Sequence, residues 1–279
     1  MHWSPAWLIA ALSISLTSCH QGTTQTSGKV LDLVQMRDSY RTMALQSTNP
    51  LPSMESIEQR TVRSATGPVT LQVYNPGGRD LPVILLFPSI DYTAGDIVTH
   101  DHVARSLAAE TPAIVILPSL PLEPEHTRKE VVNASVDVLE WIPPRIERWE
   151  GRPDCIMLVG EGAGASLALS LARQARDARE TRLVKLVLLT PSFGNEGLPM
   201  ASTFRGLPPT YVILGEDDPL RHQGEAMVDA MQSTGVDARS RRLAGTGALR
   251  MDWALADPDL LELILDVGAV MQRTCVSGQ

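Results

Sequence analysis

The stretch Cys155-Ile156-Met157-Leu158-Val159-Gly160-Glu161-Gly162-Ala163-Gly164-Ala165 decides how this chain is read. Cys155 to Val159 is uninterrupted apolar sequence, as in a strand buried on both faces. The glycines at 160, 162 and 164 let the chain turn sharply and let a helix pack closely on the strand. Ala163 to Arg179 then reads as that helix. The unit is strand, tight turn, helix, and the turn lies at the carboxyl end of the strand, where α/β proteins build their sites.

The same alternation extends in both directions. Upstream, Lys29 to Gln46 has apolar residues near helical spacing and is stopped by Pro50 and Pro52. Val69 to Tyr74 alternates as a half-buried strand, Asn75 to Gly78 is a turn, and Val83 to Phe87 is a second buried strand. A helix from about His100 to Ala109 and a strand from Ala113 to Leu117 follow. Arg128 to Trp149 is helical, with a break or kink at Pro143-Pro144. Downstream, strands at Leu183–Leu189, Tyr211–Leu214 and Ala238–Leu243 alternate with helices at Arg221–Ser233 and Asp257–Gln272. The expected fold class is α/β, a mostly parallel sheet flanked by helices. Four loops then matter for function: those after Phe87, Val159, Leu214 and Leu243.

Composition sets the outer limits. The 279 residues are 43% hydrophobic and 20% charged, which excludes a wholly disordered or fibrous chain. The net charge of −8 argues against a sequence-independent nucleic-acid binder. Three cysteines are too few for a disulfide scaffold. Cys155 reads as a buried thiol, although a disulfide to Cys275 is chemically allowed in an oxidising compartment.

The amino terminus reads as an address. Ala6 to Leu16 is too short to span a bilayer and suits the apolar region of a signal peptide, despite the absence of Lys or Arg before it. Leu16-Thr17-Ser18-Cys19 resembles a bacterial lipobox. The expectation is a signal peptide at 1–18, a lipidated Cys19 with a polar tether over 19–28, and one domain over 29–279. His20 rather than Asp after the cysteine leans toward the outer membrane, facing the periplasm. The membrane is thus an expected partner, through Cys19.

With these segments in order, the chain resembles the hormone-sensitive-lipase-like branch of the α/β-hydrolases, the bacterial carboxylesterases with GDSAGG elbows. Gly160 to Ala165 stands where that elbow belongs. Leu81 to Phe87 resembles the strand before the family's oxyanion loop, and Gly95 to Asp101 the stretch after it. Pro121-Leu122-Glu123-Pro124-Glu125-His126 resembles RLAPEH. Leu207-Pro208-Pro209 and Asp218-Pro219-Leu220-Arg221 resemble the segment with the triad acid.

The resemblance implies four catalytic parts, and it exposes their replacement. Gly162 stands where the nucleophilic serine belongs. Ala248, in Leu243-Ala244-Gly245-Thr246-Gly247-Ala248, stands where the histidine belongs, and no histidine follows His222. Pro88-Ser89-Ile90-Asp91 replaces HGGG, so a branched side chain and a carboxylate occupy a loop that should offer backbone N–H groups to an oxyanion. Asp218 keeps the acid position. The lid between Thr190 and Pro209 is short. Ser89, Asp91, Glu161, Gly162 and Ala163 are the candidate binding residues of the former site.

Other polar residues carry plainer readings. Ser166 reads as a small residue packing helix on sheet, and Ser89 and Ser192 have no identifiable base. His100, Asp101 and His102 have metal-like composition but point to different helix faces, so no metal and no cofactor is expected. His126 reads as structural and His222 as a surface residue of a first helical turn. Glu216, Asp217 and Asp218 could attract a cation, or Asp218 caps the following helix, which is the plainer reading. Trp141, Trp149 and Trp253 read as packing residues. The resulting expectation is a membrane-anchored pseudoenzyme of esterase ancestry that binds a small acyl-type ligand or a partner protein. The alternative is a carboxylic-ester hydrolase with a non-standard arrangement, Asp91 or Asp218 acting with His222 and water.

Overall fold

The computed structural model describes residues 24–46, 50–88, 91–179, 183–194, 197–244, 264–270 and 275. The chain divides into two units, Met1–Met36 and Arg37–Gln279. Of the first, the described part is the opening of helix α1 (Thr24–Leu45). That helix begins before Lys29, so residues 24–28, expected as tether, are helical. No proline interrupts them, and a formed helix extends by one hydrogen bond for each residue fixed.

The second unit carries the sheet. Its elements run β1 (Ser56–Ser64), β2 (Gly67–Asn75), β3 (Leu81–Phe87), α2 (Ile97–Glu110), β4 (Ile114–Ser119), α3 (Arg128–Trp141), β5 (Gly151–Glu161), α4 (Ala163–Asp177), β6 (Leu183–Leu189), β7 (Thr210–Gly215), α5 (Arg221–Ser233) and β8 (Ala238–Leu243). Among the described residues, eight strands form one sheet in the order β1-β2-β4-β3-β5-β6-β7-β8. β1, β2 and β4 pair antiparallel and the remaining neighbours pair parallel. The expected mostly parallel sheet is present, and the antiparallel pairs at one edge make it mixed. After α3 the chain tightens into a 3-10 helix, Pro143–Trp149, at the proline pair expected to break it.

Successive residues of the inner strands feed opposite core layers. Val83, Leu85, Phe87 and Leu158 face the layer of α3 and α4, while Ile84, Leu86, Met157 and Val159 face that of α2 and the helical segment at 264–270. Both layers are sealed, which is why these strands are continuous apolar runs. Residues 257–263 and 271–272 of the expected last helix lie outside the described residues.

The sequence reading omitted β1. Its SIEQRTVRS has a polar surface because it is an edge strand paired on one side only, through a hairpin that matches Ser64 with Gly67. The reading of Cys155 as a free thiol is also corrected: Cys155 and Cys275 form a disulfide, with Cα atoms 6.1 Å apart. Arg152 supports the closure by donating from Nη1 to the Cys275 carbonyl at 3.0 Å. No helix among the described residues is long and apolar enough to cross a membrane.

Candidate functional site: a glycine-rich elbow between β5 and α4

The glycines of the elbow have separate roles. A Cβ on Gly160 would lie 2.6 Å from the Cα of Ala165, so the crossing of α4 over β5 excludes any side chain there. Gly162 adopts φ 56° and ψ −119°, a conformation open to glycine and strained for other residues. Its N–H donates to the Leu189 carbonyl at 2.9 Å, and its own carbonyl accepts from the Ser192 N–H at 3.0 Å. The sharp turn is therefore intact and tied to the end of β6, with no side chain at its apex. Ala163 follows as the first, buried residue of α4.

Glu161 turns away from the apex. As the last residue of β5 it continues the alternation of Met157 and Val159 and is buried on the α2 side, where its Oε2 lies 3.3 Å from His100 Nε2. The other ring nitrogen, Nδ1, is 2.8 Å from the Thr99 hydroxyl. Period-two counting from Val159 places this carboxylate in the interior. Asp101 is also engaged, accepting from the Tyr74 hydroxyl at 2.9 Å and Arg105 Nε at 2.7 Å. Among the described residues no three His, Cys, Asp or Glu side chains come together as a metal site. Burial pushes the His102 imidazole below its ordinary pKa, disfavouring its charged form, although Asp101 acts in the opposite direction.

Ser89 lies outside the described residues, as does Ile90. Beyond them Asp91 (φ 47°) and Tyr92 (φ 60°) are both left-handed. The backbone there still follows a course that glycines would adopt without strain, and two L-residues hold it at a cost on the order of 1–3 kcal/mol each. Tyr92 is fixed from both sides. Its carbonyl accepts from the Glu123 N–H at 2.9 Å, and the Arg128 guanidinium stacks 4.0 Å from its ring centroid. Asp91 is exposed.

The second half of α1 holds this loop down. Arg37 donates from Nε to the Thr93 carbonyl and from Nη2 to the Glu123 carbonyl, both at 2.7 Å, and its fork grips the Glu125 carboxylate at 2.8 Å. One turn on, Arg41 Nε meets Asp96 Oδ2 at 2.6 Å, and the Tyr40 ring lies edge-on to His100. Asp96 also caps α2, accepting from the Val98 and Thr99 N–H groups. These arginines went unremarked in the sequence because their partners lie far along the chain.

Asp218 is buried at the carboxyl end of β7, and its Oδ1 accepts from the Leu220 N–H at 2.8 Å. The helix cap residue itself is Leu220, so Asp218 forms an Asx turn ahead of α5 and does not cap it directly. Glu216 and Asp217 are exposed. His222 has 78% of its side chain exposed, with its ring nitrogens against Glu225 and Arg221. Cys19, Ala248 and Trp253 lie outside the described residues. Ser166 donates its hydroxyl to the Ser192 carbonyl, which suits a packing role. His126 donates its backbone N–H to Leu122 in the loop gripped by Arg37. Trp149 packs against Trp141 and donates to Glu58 at 3.1 Å.

Known proteins share this architecture. A family model described as alpha/beta hydrolase fold matches residues 91–199 and 197–248. The carboxylesterase NlhH of Mycobacterium tuberculosis is 28% identical over 231 residues, 67% of this chain and 72% of that protein. An esterase of Pyrobaculum calidifontis superposes with a TM-score of 0.79 at 23% identity, covering 88% of this chain and 94% of its own. A fungal esterase of Rhizomucor miehei reaches a TM-score of 0.81 at 19% identity, covering 90% and 93%. The family match spans more than half of the sequence, and the chain belongs to the Abhydrolase_3 family of α/β-hydrolases, with carboxylesterases among its relatives.

Proposed function

We propose that this carboxylesterase-related protein no longer performs Ser-His-Asp chemistry and acts as a binding protein, held to the outer membrane through lipid on Cys19. Gly162 carries the reading: the elbow keeps its turn and its ties to β6, while the atom that would attack an ester is missing. The covalent route needs that nucleophile together with its base, and the residue at the expected base position is Ala248. His222 faces Glu225 and Arg221 at the surface, which disfavours its use as a replacement base. A small acyl-type ligand or a partner protein is the class of binder proposed for the former cleft. The disulfide between Cys155 and Cys275 supports an oxidising compartment such as the periplasm.

Turnover of short p-nitrophenyl esters by the purified protein tests the loss of chemistry. The expected rate is that of buffer. Hydrolysis that survives Gly162→Ala and disappears with Asp218→Ala would overturn the reading. Anchoring is tested by palmitate labelling and membrane fractionation: label and outer-membrane sedimentation should both be lost in Cys19→Ala, and a protein that stays soluble without label refutes the anchor.

A further inference from the structure

A groove of about 340 Å³ opens between the first turns of α3 and one face of α4, under the short segment that follows β6. Neither Gly162 nor Asp218 lines it. Its walls combine apolar surface from Val132, Leu169 and Phe193 with three cations, Arg128, Lys129 and Arg173, and hold no carboxylate among the described residues. Arg128 is already engaged, pairing with Glu123 at 3.1 Å and stacking on Tyr92. Arg173 is different. Its Nε is buried and has no hydrogen-bond partner among the described residues. A buried donor without an acceptor is rare in a native fold. Leu169 and Arg173 are one helical turn apart on α4, and Lys129 and Val132 are similarly spaced on α3, so each wall presents an apolar residue beside a cation.

We infer that this groove binds a small amphiphilic oxyanion, with a carboxylate or phosphate head on Arg173 and Lys129 and an apolar body against Leu169, Val132 and Phe193. A guanidinium offers paired N–H donors matched to two oxygens of such a head. The volume lies at the low end of small-molecule sites, which sets the body at a short chain or single ring. Among the described residues no acid lines the groove, which leaves the charge of Arg173 and Lys129 for the ligand. Neither Gly162 nor Asp218 takes part, so the inference holds whether or not the protein hydrolyses esters.

Calorimetric titration of the full chain with hexanoate, hexyl phosphate and 1-hexanol tests it. At least one anion should bind about tenfold or more tightly than the alcohol, with affinity falling as salt is raised. Whichever anion binds better identifies the head group, and either result supports the site. Arg173→Met keeps the apolar stem and should remove the preference for the anion; Lys129→Met, at an exposed position, should weaken it with melting temperature unchanged. Equal affinity for the alcohol, no binding of any of the three, or anion affinity unaltered in both variants would overturn the proposal.

Discussion

His100 Nε2 and Glu161 Oε2 lie 3.3 Å apart with the histidine side chain only 1% exposed, directly behind the elbow. The pair ties α2 to the last residue of β5, and Thr99 continues it to the Asp96 cap. Removing Glu161 takes away the partner of His100 Nε2 in the interior. Glu161→Ala should therefore lower unfolding free energy by about 1–3 kcal/mol, and Glu161→Gln, which keeps an acceptor, by clearly less. Urea unfolding of the two variants checks the order; equal stability would show that the pair contributes nothing.

The elbow gives a second prediction. At φ 56° any side chain at 162 is strained, so Gly162→Ser should destabilise by about 1–3 kcal/mol. Gly162→Ser combined with Ala248→His should still hydrolyse p-nitrophenyl acetate poorly. Ile90 and Asp91 set a branched side chain and a carboxylate where glycines would bring N–H groups to an oxyanion, and loss of one donor typically costs about 100- to 1000-fold in rate. Robust esterase activity in the double variant would show that the loop can still stabilise the intermediate.

These two positions were not equally legible in the sequence. Gly162 stood out because the turn chemistry around it is local: strand, glycines and helix fall within a dozen residues. The inner strands were equally plain, since Val83–Phe87 and Leu183–Leu189 are buried on both faces and need no partner to be recognised. β1 was not, because an edge strand is free to be polar. The hold of Arg37 on Glu125 joins residues 88 apart, and the disulfide joins residues 120 apart. Both depend on where the ends of the chain fall, which no local pattern encodes.

The disulfide closes that long loop, and its removal should be costly. In the chain-entropy picture a loop of this length is worth about 5 kcal/mol. Cys275→Ser should lower the melting temperature substantially, and a reductant should shift the parent protein and leave the variant unmoved. A parent melt indifferent to reductant would contradict the bond.

The Arg37–Glu125 pair predicts a pH dependence of defined sign. The hydrogen bond from Arg37 holds the Glu125 carboxyl below the usual glutamate range, against a smaller upward push from desolvation. A depressed carboxyl pKa means that the unfolded chain binds the proton more readily than the folded one. The stabilisation is therefore complete above the unfolded value, near 4.3, and is lost as pH falls through the lower folded value. Glu125 is nearly half exposed, so solvent screening limits the effect to less than about 1 kcal/mol. Its local consequence is larger than its global one, because Arg37 also secures Thr93 and Glu123 next to the Asp91–Tyr92 loop. Amide exchange at Tyr92 to Asp96 should accelerate relative to its intrinsic rate as pH falls below about 4.3, and Glu125→Gln should remove that acceleration while making exchange faster at pH 6. A parent and variant with parallel exchange profiles across this range would show that the carboxylate does not secure the loop.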